Sequence, residues 1–178
     1  MGAQEPTTIA PAPKVSPRRP IGVRGFVVSF LALLLLFYTA YALSEDSRAV
    51  QLHLLAIARA AHFVLTPIYE VERVGTTLSG EAFSEDVGIG CDAAYPILCF
   101  AAGVLAFPSP LRAKLLGLLC GIAILEISNV IRIATLFAIG VRFPESFHLF
   151  HTQVWEGLFV LLALVLWSIW ALRVLRRP

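Results

Sequence analysis

From residue 25 to residue 43 the chain runs through 19 consecutive positions without a charge, following Arg24 and ending at Ser44-Glu45. A stretch of that length and uniformity has no polar face to turn toward water. As a helix it satisfies its own backbone and spans about 28 Å, close to the hydrocarbon thickness of a bilayer. Three further apolar blocks follow at 93–107, 115–141 and 157–172, which with their flanks read as spans at about 92–108, 115–141 and 152–172. The first is short and interrupted by Pro96. The second carries Glu126, Asn129 and Arg132. The third ends near Trp167 and Trp170, at the depth where interfacial aromatics gather. Hydrophobic residues make up 58% of the 178 and charged ones only 15%, which excludes a soluble single domain, a disordered chain and a disulfide-stapled secreted module. The net charge of +2 is too small to point to a nucleic-acid partner.

The segments around these blocks set the expected organisation. Residues 1–24 hold five of the eleven prolines and a basic cluster at Lys14, Arg18, Arg19 and Arg24, and read as a disordered cytoplasmic tail. The 25–43 run exceeds a signal-peptide core and is read as a retained span. Residues 49–66 are apolar but hold Gln51, His53, Arg59 and His62. At 100° per residue Gln51, Arg59 and His62 share one stripe, so this piece reads as an interfacial helix with solvated histidines. Four spans place the tail, the loop at 109–114 and the basic end at 173–178 on one side, with nine Lys and Arg residues. The other side holds four (Arg48, Arg59, Arg73 and Arg142). That asymmetry predicts both termini in the cytoplasm. Glycines 75, 80, 88 and 90 break up the segment before the second span, which reads as a small extracytoplasmic loop or hairpin. The expected fold is an all-α integral membrane protein: a four-helix transmembrane bundle over 25–172, with the interfacial helix and the short loop outside.

Three residue types converge on the outer leaflet. Cys91 stands at the mouth of the second span behind Gly88 and Gly90. Arg132 lies about nine residues inside the third, or about 13 Å deep. His148 and His151 open the fourth. A thiol, an imidazole and a guanidinium form a chemical kit in which the imidazole handles the thiol proton and the guanidinium lowers the thiol pKa or holds an oxyanion. Arg132 is the strongest single signal, because a charge at that depth costs about 2.5–3.5 kcal/mol unless it faces a partner or a wet cavity. Glu126, Asn129 and Arg132 fall on one stripe, which serves either a site or a purely structural network. Cys99 and Cys120 lie inside apolar runs and read as inert hydrophobes. The three cysteines show neither redox nor zinc-ligand spacing, and two histidines without a third ligand make a weak metal site, so no metal or cofactor is expected.

The blocks "GCDAAYPILCFAAGVLAFP", "GIAILEISNVIRIATL" and "FHLFHTQVWEGLF", in this order and spacing, resemble the exosortase/archaeosortase family. The short four-span length and the His-x-x-Val-Trp ending are most similar to its small exosortase H branch, paired with IPTL-type C-terminal signals. The resemblance covers about residues 25–172. It implies a bacterial inner-membrane cysteine transpeptidase or protease. Its substrates would be exported proteins ending in a short motif, one transmembrane helix and a basic tail. It further implies Cys91 as nucleophile forming a thioester, Arg132 as charge stabiliser and His151 as acid and base. His151 is preferred to His148 because Val154-Trp155 follows it as in the family pattern. Asn129, Glu126 and His148 would be supporting residues. Family members often carry a small residue or Asn-Gly after the cysteine, where this chain has Asp92-Ala93. The rival expectation is a non-enzymatic four-helix scaffold locked by Arg132, Glu126 and Asn129. A redox protein would need paired outer cysteines, and a transporter subunit an internal repeat; the sequence shows neither.

Overall fold

The computed structural model describes residues 22–176. Of the expected tail, residues 1–21 lie outside this range, while Val23 and Arg24 open the first helix; of the basic end, residues 177 and 178 lie outside it and Arg173 belongs to the last helix. Among the described residues the chain is mostly helical, and three helices are long and apolar enough to cross a membrane.

The first is α1, Val23–Ala42, none of whose residues is buried within the protein. Helix α2, Arg48–Leu65, starts at Ser47, whose hydroxyl accepts from the Val50 N–H at 3.3 Å. Its buried residues Leu54, Ile57, Ala58, Ala61 and Leu65 follow helical spacing and form one face against α4. Gln51 and Arg59 are exposed as the amphipathic reading requires, but the two histidines are engaged. His62 Nε2 lies 3.0 Å from the Val71 carbonyl, and His53 Nε2 lies 3.4 Å from Glu126.

The segment expected as a loop or hairpin is a three-stranded antiparallel meander of β1 (Glu72–Val74), β2 (Thr77–Ser79) and β3 (Ser84–Asp86). Gly75, at φ +61°, makes the first turn. Three-residue strands are too short to show a period in sequence. The sheet exists because Leu78 and Val87 insert into the cluster formed by α2, Ile133 and Phe137.

Helix α3, Ala94–Ala106, has only 13 residues, about 20 Å, and is shorter than the span expected at 92–108. Pro96 does not interrupt it, because it falls in the first turn, where a missing N–H leaves no bond unmade. Pro108 and Pro110 end the block instead, and α4 begins at Leu111 and runs 32 residues to Arg142. Arg112 and Lys114 therefore lie in its first turn rather than in a loop. The Lys114 ammonium donates to the Leu105 carbonyl, and Trp170 Nε1–H donates to the Ala113 carbonyl at 3.0 Å. After Phe143 the chain forms α5 (Pro144–Leu149), a π-helical turn (Phe150–Val154) and α6 (Trp155–Leu175) as one continuous helical rod.

Two buried clusters result. One joins α2, the sheet and the C-terminal half of α4; the other joins α3, α4 and α6 through Phe100, Val104, Leu125 and Phe159. Phe83, in the β2–β3 turn, locks the sheet to α4, its ring lying where a side chain on Gly140 would have to be. Gly140→Ala is therefore expected to push that ring out and lower stability by about 1–3 kcal/mol, read as a fall in the thermal midpoint of the detergent-solubilised protein.

Candidate active site

The segment 88–93 crosses from one cluster to the other, with Cys91 packed in the first and Ala93 in the second. It is a tight turn: the Cys91 N–H donates to the Gly88 carbonyl at 3.0 Å, and Gly90 sits at φ +89°, a conformation open to glycine. Ala93 also has a positive φ, +54°, a left-handed geometry that costs a residue with a Cβ about 1–2 kcal/mol. Asp92, fully buried, holds the turn in place. Its Oδ1 accepts the Ala94 N–H at 3.2 Å, capping α3, and its Oδ2 accepts the Tyr41 hydroxyl of α1. The acid that follows the cysteine thus has a structural task that its position in the sequence does not show.

Helix α4 grips the same turn from below. Asn129 Nδ2 donates to the Cys91 carbonyl at 2.7 Å, and Arg132 Nη1 donates to the Gly90 carbonyl at 3.2 Å. The guanidinium also sits 5.8 Å from the centre of the Phe159 ring, within cation–π range. Arg132 is 4% exposed, and its Nε and Nη2 have no acceptor among the described residues.

His151 reaches the turn from the π-helical segment, with Nε2 3.4 Å from Cys91 Sγ. The wider π turn lets a side chain leave the rod where a regular helix would carry it past. His148, in the last turn of α5, is exposed, and His151 is the histidine that lies against the sulfur. The His151 ring stacks on Phe147 at 5.5 Å and 18°, Phe147 packs on Phe83 at 5.1 Å, and Phe83 packs on Phe137 at 5.8 Å. The sheet therefore buttresses the imidazole through an aromatic relay.

Cys91, Arg132, His151 and Asn129 thus meet in one place. Glu126 does not join them, because it faces His53 of α2 rather than Arg132. A residue the sequence reading passed over takes its place. Glu85, at the centre of β3, is 6% exposed, and neither carboxyl oxygen has a donor among the described residues. Burial raises its pKa to about 7 although the Arg132 charge pulls the other way. Burial likewise pushes the Cys91 thiol up, Arg132 pulls it down, and Glu85 and Asp92 push it up again. The sulfur lies beside the His151 imidazole. A cavity of about 590 Å³ opens from Gly90 and Arg132 and continues between α1, α3 and α6 to Phe26 and Trp167, with a largely apolar lining. No group of three or more potential metal ligands occurs among the described residues.

No family model, curated protein or solved structure matches the chain.

Glu85 gives the fold a pH dependence of known sign. Its folded pKa lies above its unfolded value of 4.5, so the folded state holds the proton more tightly, and stability declines as pH rises from about 4.5 to about 7. Glu85→Gln is expected to remove that slope. Thermal unfolding of the parent and the variant from pH 4 to pH 8 measures the difference in slope.

Proposed function

We propose that the protein is a membrane-embedded cysteine peptidase or transpeptidase of exosortase type, acting on exported proteins that end in a short motif, an apolar helix and a basic tail. The observation that carries this reading is the 3.4 Å approach of Cys91 Sγ to His151 Nε2, side chains 60 residues apart on separate elements, with Arg132 beside them. Structural packing alone has no need to bring a thiol, an imidazole and a guanidinium with two free N–H-bearing nitrogens to one turn.

In the proposed reaction His151 takes the Cys91 proton as the sulfur attacks the scissile carbonyl carbon. The C=O pair moves onto oxygen, and Arg132 stabilises the resulting oxyanion. The intermediate collapses by breaking the C–N bond. His151 returns its proton to the departing amine and a thioester is left on Cys91. Water or an acceptor amine then attacks the thioester with His151 as base, and the thiol regains its proton. Asn129, through the Cys91 carbonyl, fixes the backbone that presents the sulfur. The apolar cavity beneath Arg132 suits the helix of such a substrate.

The topology that goes with this reading has four spans, α3 being the shortest and enclosed by the others, with both termini in the cytoplasm of a bacterial inner membrane and the sheet outside. In a scaffold reading, the bonds from Asn129 and Arg132 to the turn would be the purpose of the polar stripe, and the thiol would be incidental.

Processing of a tagged substrate bearing such a C-terminal signal separates the two. Cys91→Ala is expected to abolish cleavage, His151→Asn to slow it about 10²–10⁴-fold and Arg132→Gln about 10²–10³-fold, with protein levels held, while His148→Ala leaves it nearly unchanged. Full cleavage by Cys91→Ala overturns the enzyme. For topology, single cysteines are introduced into a Cys91→Ala/Cys99→Ala/Cys120→Ala chain. Val74→Cys should react with a membrane-impermeant maleimide in intact cells, and Ser109→Cys only after lysis; the reverse pattern overturns the orientation.

A further inference from the structure

Strand β3 carries two adjacent acids with opposite fates. Asp86 points outward and its Oδ1 accepts the hydroxyls of Thr76 at 2.8 Å and Thr77 at 3.0 Å. Glu85 points inward, because the register pairs it with Leu78, which is fully buried. Its carboxyl lies beneath the sheet, where β3 packs against α4, and has no donor. A buried carboxyl in that condition is destabilising and calls for a partner.

The unsatisfied half of Arg132 has the matching chemistry. Nη1 is committed to the Gly90 carbonyl, and the open nitrogens are Nε and Nη2. These two form the side-on edge of a guanidinium, the edge that takes a carboxylate through two parallel hydrogen bonds. The groups also feel one another: the Arg132 charge acts on the Glu85 carboxyl, and both act on the Cys91 thiol. No ion pair joins them in this structure.

We propose that Glu85 is a positioning residue for Arg132, its carboxyl taking up the side-on edge of the guanidinium directly or across one bridging water and so fixing it beside Cys91. A guanidinium has five N–H bonds. Glu85 uses one on Nε and one on Nη2, and Gly90 uses one on Nη1. One on each of Nη1 and Nη2 remains for an anionic oxygen. What Arg132 is held for rests on the peptidase reading; the pairing itself is measurable without substrate.

The test is titration of the Cys91 thiolate by its ultraviolet absorbance in the full-length Cys99→Ala/Cys120→Ala protein, taken as a difference from the same chain with Cys91→Ala. Glu85→Gln keeps an oxygen that accepts from Arg132 and removes the charge, so the midpoint falls. Glu85→Leu removes both, and its midpoint should lie about half a unit or more above that of Glu85→Gln. In an Arg132→Gln chain the two substitutions should coincide. If they coincide with Arg132 present, or still differ without it, the proposal is overturned. Glu85→Asp gives an independent reading should the Leu variant not fold. It keeps the charge and loses the reach, so its midpoint should rise above the parent's, and a midpoint at or below the parent's overturns the pairing. Loss of substrate cleavage in the Cys91 variants bears on the enzyme and leaves this titration untouched.

Discussion

The site depends on two hydrogen bonds from α4 to backbone carbonyls, Asn129 to Cys91 and Arg132 to Gly90. A turn of glycines and one left-handed alanine has little conformational preference of its own. Without those donors its carbonyls would be buried and unpaired, each costing about 1–3 kcal/mol. Because the donors sit one turn apart on a long helix, the turn takes up the rigidity of that helix. The sulfur is then placed by α4 rather than by its own neighbours. Asp92 completes the anchoring from the other side, tying the turn to α3 and to Tyr41 of α1.

The imidazole is placed by different means. His151 belongs to the rod that ends in α6, and the π turn aims it at the sulfur. Its orientation is then held by a stack that passes through Phe147 and Phe83 to Phe137 on α4. Thiol and imidazole are thus referred to the same helix by independent routes, one polar and one aromatic. Phe83 is the shared support of the sheet and the imidazole, which explains why so small a sheet is packed so tightly against Gly140.

How much of this the sequence could convey differs from residue to residue. Arg132 stands out because a charge among apolar residues has few physical justifications, and Cys91 and His151 follow from being polar at the mouths of apolar blocks. The amphipathic face of α2 is written in its spacing. Glu126 misleads because a helical stripe shows which residues share a face but not which neighbour the face meets; the partner proved to be His53. Between His148 and His151 the order of residues does not decide, and nothing in "FHLFHTQVW" announces the π turn that carries His151. Glu85 is hidden among Glu81, Ser84 and Asp86, in strands too short to display alternation. Its burial is decided by pairing with Leu78, a tertiary fact.

The groups around the sulfur act on its pKa in opposite directions. Burial, Glu85 and Asp92 all raise the thiol's pKa, and Arg132 and the backbone hydrogen bond at Gly88 oppose them. A permanently ionised sulfur in this half-buried turn would need its own counter-charge, leaving less of the guanidinium for a developing oxyanion. In the proposed reaction a neutral thiol 3.4 Å from an imidazole would avoid that conflict, since charge would separate only as the sulfur bonds to carbon. The negative charge would then move to the carbonyl oxygen, toward whatever part of Arg132 is unengaged. An arginine serves here where a lysine would not. Its planar fork can hold the turn with one edge and meet an anion with another, whereas an ammonium is a single point of charge.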